Sequence, residues 1–170
     1  MLKMMGSILL LCGCFGVSLL QVKNMDKRVG TIRSLLYALE IMEQELSFRN
    51  PFLEEMLSAA VSSAVEPTRS FLLVCIERLK QKTDTSFSEI WNNAAREKLI
   101  SLKIQDIDPV CKLGGLLGRY DREGQRMAIQ QTRGILQNIL SDAVNERKHR
   151  GKVYKVLGTT IGAFLVILLL

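Results

Sequence analysis

Two uncharged apolar runs, one at each end of the chain, constrain the fold more than anything between them. The first, MMGSILLLCGCFGVSLL, covers 4–20; the second, VLGTTIGAFLVILLL, covers 156–170. As a helix rising about 1.5 Å per residue, the first run reaches about 25 Å, close to the hydrocarbon thickness of a bilayer. Val153 and Tyr154 bring the second nearer that length, with Lys152 and Lys155 able to snorkel. The expected organisation is an N-terminal transmembrane helix over 2–22, a helical bundle over 23–152 and a C-terminal transmembrane helix over 153–170. A cleaved leader would need a small-x-small site followed by polar sequence, yet 16–20 stays apolar. A lipidated Cys14 would need a lipobox, to which LCGC is a faint match. An uncleaved anchor accounts best for the first run, with these two as alternatives.

The charge distribution follows the same plan. The chain carries 23 Lys/Arg against 17 Asp/Glu, net +6. All 17 acids and 16 of the basic residues lie between Met25 and Glu146, so that region sits at −1. The excess is Lys3, Lys23, Arg147, Lys148, Arg150, Lys152 and Lys155, beside the apolar runs. A nucleic-acid binder would carry its excess on the folded domain. Here Lys23, Lys27 and Arg28 follow the first run, and Arg147, Lys148, Arg150, Lys152 and Lys155 precede or begin the second. The positive-inside rule then puts the central domain in the cytoplasm, with these residues also facing anionic lipid headgroups. Gly158 and Gly162 form a GxxxG pair suited to close helix packing in lipid, a spacing that also arises by chance.

Between the runs the periodicity is helical. Ile32, Leu35, Leu36, Leu39, Met42 and Leu46 recur in steps of three and four. Asn50 and Pro51 read as the N-cap and first residue of a second helix. Pro67 opens a third, and Ser86 with Glu89 has capping-box spacing for a fourth. Asp108 and Pro109 open a short fifth, ending near Leu117. A sixth begins near Asp121 and meets no breaker before the second apolar run. No stretch alternates with period two. Few aromatics, three prolines and short connections agree with an all-α antiparallel bundle of about six helices.

The glycine-rich stretch LGGLLGRYDREGQ, 113–125, raises the question of a phosphate loop. Such a loop needs a strand before it, and its Walker form needs Lys-Ser/Thr after the last glycine. Arg119 and Tyr120 stand there instead, and the preceding segment reads as helix. Gly114 and Gly118 share one helix face, where a neighbour can approach closely. Gly118 can end that helix with φ > 0, and Asp121 caps the next. Gly124 and Gln125 lie within its first turn. The four cysteines form no CxxC pair and the single histidine, His149, sits in a charged flank. No triad, metal set or nucleotide loop is legible, so neither catalysis, nor a cofactor, nor a small-molecule substrate is expected. A local acidic stretch, Glu40, Glu43, Glu45, Glu54 and Glu55, is either a solvated face or a docking surface for a basic partner.

Three stretches carry a resemblance: LLYALEIMEQELSFRNPFLEEM, LGGLLGRYDREGQ and YKVLGTTIGAFLVILLL. In their order and spacing the chain resembles the stage III sporulation protein AB family over nearly its whole length; 69–104 is least diagnostic. The resemblance implies a mother-cell membrane protein of endospore formers, part of a transenvelope complex joining mother cell and forespore. It implies a cytoplasmic domain similar to the platform proteins of type II secretion and type IV pilus machines, which bind a secretion ATPase. The implied partners are the sporulation AA ATPase and other proteins of the stage III A operon. The alternative is a membrane-anchored scaffold or enzyme of unrelated function, a hydrolase or metalloprotein; a transporter is disfavoured by two spans without a central ionisable residue.

Overall fold

The computed structural model describes the backbone of residues 2–49, 51–81 and 84–169; side chains of 2–19, 152, 154, 155, 157–159 and 161–169 lie outside the described residues. Among the described residues there are six helices and no strand: α1 Leu2–Phe48, α2 Leu53–Ser63, α3 Thr68–Lys80, α4 Phe87–Lys98, α5 Ile104–Leu116 and α6 Arg122–Leu169. The chain divides into two compact units, Met1–Val29 with Asp142–Leu170, and Gly30–Ser141.

No helix among the described residues is long and apolar enough to cross a membrane. The flanking transmembrane helices expected over 2–22 and 153–170 are therefore not part of what the structure shows. The backbone of both runs is helical, but their side chains, including the positions of Gly158 and Gly162, lie outside the described residues. Neither run is a separate helix: α1 passes from the first run into the bundle, and α6 passes from the bundle into the second. Gly30 costs helix propensity, about 1 kcal/mol against Ala, but removes no hydrogen bond, so it does not interrupt α1. The expected domain boundaries followed hydropathy, whereas the compact division at 29/30 and 141/142 follows packing.

In the Gly30–Ser141 unit, α2 packs on α3, α3 on α4 and α4 on α5. The stripe predicted on α1 is buried at Ile32, Leu35, Leu39, Met42 and Leu46; Leu36 is half-buried. Trp91 is the largest fully buried side chain. Its indole N–H donates to the Val110 carbonyl at 2.7 Å, and Phe71 meets its ring edge-on at 4.6 Å between centroids. α1 and α6 are tied by Glu43, which accepts from Gln130 Nε2 at 2.5 Å and pairs with Arg133. The end where this unit begins is closed by Thr31 and Ser101, whose hydroxyls lie 2.8 Å apart, and by Ser34 with the Val65 carbonyl, 3.0 Å.

Three helix starts show how local chemistry sets boundaries. Ser86 caps α4 as expected, its hydroxyl accepting from the Glu89 N–H at 3.3 Å. The second helix starts at Leu53, because Phe52 is extended (φ −62°, ψ 151°) and takes the cap position; Asn50 lies outside the described residues. The fifth starts at Ile104 instead of at Asp108-Pro109. The buried Asp106 carboxylate accepts the Lys103 N–H at 3.0 Å, fixing the first turn earlier. Pro109 thus lies inside α5, near its start, where its missing N–H removes one ladder bond.

In the terminal unit, Asp26 pairs with Arg147, and Arg28 with Glu146 at 2.7 Å; Glu146 also holds Arg150 at 3.1 Å. Arg28 is buried. So Arg28, Arg147 and Arg150, expected on the lipid headgroups, are engaged with carboxylates of their own chain. Lys23, Lys27 and Lys148 are exposed, and the side chains of Lys152 and Lys155 lie outside the described residues.

Candidate functional site

The glycine stretch builds a turn and a cleft at one end of the Gly30–Ser141 unit. α5 stops because Leu117 turns extended (φ −67°, ψ 132°) while its N–H still reaches the Leu113 carbonyl at 3.0 Å. Gly118 follows at φ +79°, a backbone open to glycine and strained for other L residues. The next helix starts at once. The Asp121 carboxylate accepts the Gly124 N–H at 3.1 Å, and the Asp121 carbonyl accepts the Gln125 N–H at 3.0 Å. The Gln125 side-chain amide donates back to the Tyr120 carbonyl at 2.8 Å. Asp-x-x-x-Gln is therefore a helix-start device. Gly124 is required by the turn itself: a Cβ there would lie 2.9 Å from both Asp121 Oδ1 and Tyr120 Cβ. A helix precedes the glycines where a phosphate loop has a strand, and the Gly124 and Gln125 N–H groups are already committed.

Gly114 and Gly115, adjacent in sequence, differ in what they face. A Cβ on Gly114 would lie 2.6 Å from Trp91 Cγ and 2.9 Å from Trp91 Cβ. That is the close helix approach expected from its spacing with Gly118. A Cβ on Gly115 would meet only Ser88 Oγ, at an ordinary 3.5 Å. Gly115 forms part of a cleft of about 360 Å³ lined by Ser86, Phe87, Ser88, Gly114, Gly115, Leu117, Gly118 and Arg119. The N-terminus of α4 forms one wall and the end of α5 the other. Beside it, Leu53 approaches the Gly118 position at 3.9 Å, so the start of α2 belongs to the same end. Phe52 and Tyr120, flanking that contact in sequence, are both exposed.

The five acidic residues singled out from the sequence do not form an open acidic face. Glu43 is mostly buried (15% exposed) and bound by Arg133 and Gln130. Glu40 lies 3.4 Å from the same guanidinium, Glu45 pairs with Arg49 at 2.7 Å, and Glu54 with Lys80 at 3.0 Å. Glu55 is exposed. At the turn, Arg126 grips Glu123 at 2.6 Å, which holds the Glu123 carboxyl below its usual range and raises the Arg126 guanidinium. Sequence reading missed the cleft and the Arg133 clamp. Its available signal was Gly115, a helix-interior glycine beside another that alone satisfies the packing. Among the described residues no group of His, Cys, Asp and Glu is placed to hold a metal ion.

The comparisons with known proteins fit this arrangement. The family model for stage III sporulation protein AB matches residues 3–170. The chain belongs to that family. A curated relative, stage III sporulation protein AB of Bacillus subtilis (strain 168), is 23% identical over 172 residues, covering all of both chains. A solved structure of stage III sporulation protein AB shares the fold, with a TM-score of 0.64 and 20% identity over 72% of this chain and 98% of the other. Family membership gives the chain a sporulation-related role, and both motif-bearing ends of the sequence lie within the matched range.

Proposed function

We propose that this chain is a non-enzymatic membrane platform subunit of the complex joining mother cell and forespore, docking a cytoplasmic ATPase. The supporting observation is that the family match runs unbroken through both apolar runs and the helical unit between them. A platform needs that combination: terminal anchors, and a rigid domain offering a surface rather than a pocket for chemistry. In this reading 2–22 and 153–170 lie in the mother-cell membrane and the bundle faces the mother-cell cytoplasm. Lys23, Lys27 and Lys148 then lie by the headgroups. Gly158 and Gly162 would pack the second anchor against a neighbour. The partners are the sporulation AA ATPase and other stage III A-operon proteins. Of the acidic stretch, Glu54 and Glu55 are the residues able to meet a basic partner, since a solvent-exposed pair such as Glu54–Lys80 contributes little and exchanges readily. Glu43 is held within the bundle and Glu45 by a local pair, while Glu40, about as exposed as Glu54, stands on α1 beside Arg133 rather than at the start of α2.

The test uses the full chain in lipid nanodiscs and the purified sporulation AA ATPase at low salt. The wild type binds. Glu54→Lys with Glu55→Lys weakens binding at least about tenfold, equivalent to about 1.4 kcal/mol. No binding by the wild type rejects the platform reading; unchanged affinity in the double variant moves the interface off the start of α2.

A further inference from the structure

We infer that the cleft between the start of α4 and the end of α5 is a docking groove for an acidic, apolar-flanked segment of a partner protein. The inference rests on the docking reading only for the identity of that partner. Its first support is Gly115. Gly114 excludes a side chain because Trp91 occupies the space, and Gly118 because its φ is positive. Gly115 has neither reason. It lies inside a helix, with φ outside the left-handed region and room for a methyl group. Alanine there would raise helix propensity. What a bare α-carbon does provide is an open cleft floor and close access to the α5 backbone.

The second support is the chemistry of the walls. Phe87 supplies apolar surface, and Ser86 and Ser88 supply hydroxyls. Arg119 is the one charged residue lining the cleft; it is exposed, and no ion pair to it is found among the described residues. No carboxylate lines the cleft. Charge complementarity therefore selects a carboxylate on the occupant, placed against Arg119, with a small apolar residue over Gly115 beside Phe87. A basic segment would meet uncompensated repulsion; a second copy of this chain, which carries exposed carboxylates such as Glu55 and Glu89, is an outcome that the test separates.

The test is carried out in sporulating cells with the full chain carrying p-benzoylphenylalanine in place of Ser88. Irradiation is expected to cross-link a partner peptide that has an Asp or Glu within a few residues of the attachment site. Adding Arg119→Glu should reduce the cross-link at least tenfold, as should Gly115→Met, which fills the floor. Gly115→Ala, by contrast, should raise thermal stability and so show that the glycine is not needed for folding. No cross-link, a cross-link to lipid, to a basic peptide or to a second copy of this chain, or insensitivity to Arg119→Glu overturns the groove. If the peptide is acidic but belongs to another protein than the sporulation AA ATPase, the groove stands and ATPase docking at this end does not.

Discussion

Gly114 and Trp91 occupy one packing site between them: the indole lies where the glycine's side chain would be. The indole cannot retreat, because its N–H is bonded to Val110 and its faces meet Phe71 and Phe87. Gly114→Ala should therefore destabilise the domain by about 1–3 kcal/mol, the usual cost of overpacking a fixed core. Gly115→Ala, one residue on, should stabilise it by up to about 1 kcal/mol. Chemical denaturation of the two variants checks the opposite signs. Equal effects would show that the helix contact is softer than the distances imply.

Gly118 acts through its backbone alone. At φ +79° with its nearest outside neighbour, Leu53, at 3.9 Å, a side chain has space but the wrong dihedral. Gly118→Val should cost about 1–3 kcal/mol, the range for a strained residue held by its surroundings. Gly118→Asn should cost much less, since Asn tolerates the left-handed region. Arg119→Ala should leave the melting temperature nearly unchanged. A Val variant as stable as the wild type would show that the turn relaxes.

The clamp between α1 and α6 should behave as a coupled pair. Glu43 and Arg133 are both mostly shielded, and Gln130 shares the carboxylate. Glu43→Ala should cost about 1.5–3 kcal/mol, as for hydrogen bonds to charged groups. Glu43→Lys should cost more, placing two cations together. A double-mutant cycle with Arg133→Ala should return a coupling energy above about 0.5 kcal/mol. Additive effects would reduce the clamp to a surface contact.

Helix content was legible because the α1 stripe and the Ser86 cap are each encoded within a short local stretch of sequence. So was the turn: Gly118 and Asp121 each act on their immediate neighbours. The acidic stretch was not legible. Residue spacing shows that Glu43 lies off the core stripe, but its partner Arg133 stands on α6, 90 residues further along the chain, and only the fold brings them together. Pro109 misled for a related reason. Proline favours a helix start, but the buried Asp106 cap outweighed it and set the start at Ile104. The basic flank shows the same limit, since Arg28 reads as a lipid-facing cation until Glu146 is placed beside it.

The membrane orientation proposed for the bundle can be tested with two thiols of different accessibility. Cys75 is fully buried, and burial pushes its pKa up to about 12. It is therefore inert near neutral pH. Its raised pKa favours the folded state while the thiol stays protonated. That stability is complete below about pH 9, the ordinary value, and is lost as pH rises toward 12. Cys111 is only half-buried, so it is the reporter, although burial raises its pKa as well. In a chain with Cys12→Ser and Cys14→Ser, a membrane-impermeant maleimide should leave intact protoplasts unlabelled. After lysis it should label Cys111 within minutes, and Cys75 only in denaturant. Labelling of Cys111 before lysis would place the bundle outside the cytoplasm and reverse the orientation drawn from the basic flanks. Rapid labelling of Cys75 in the lysed native state would show instead that the core around Trp91 opens more readily than its packing implies.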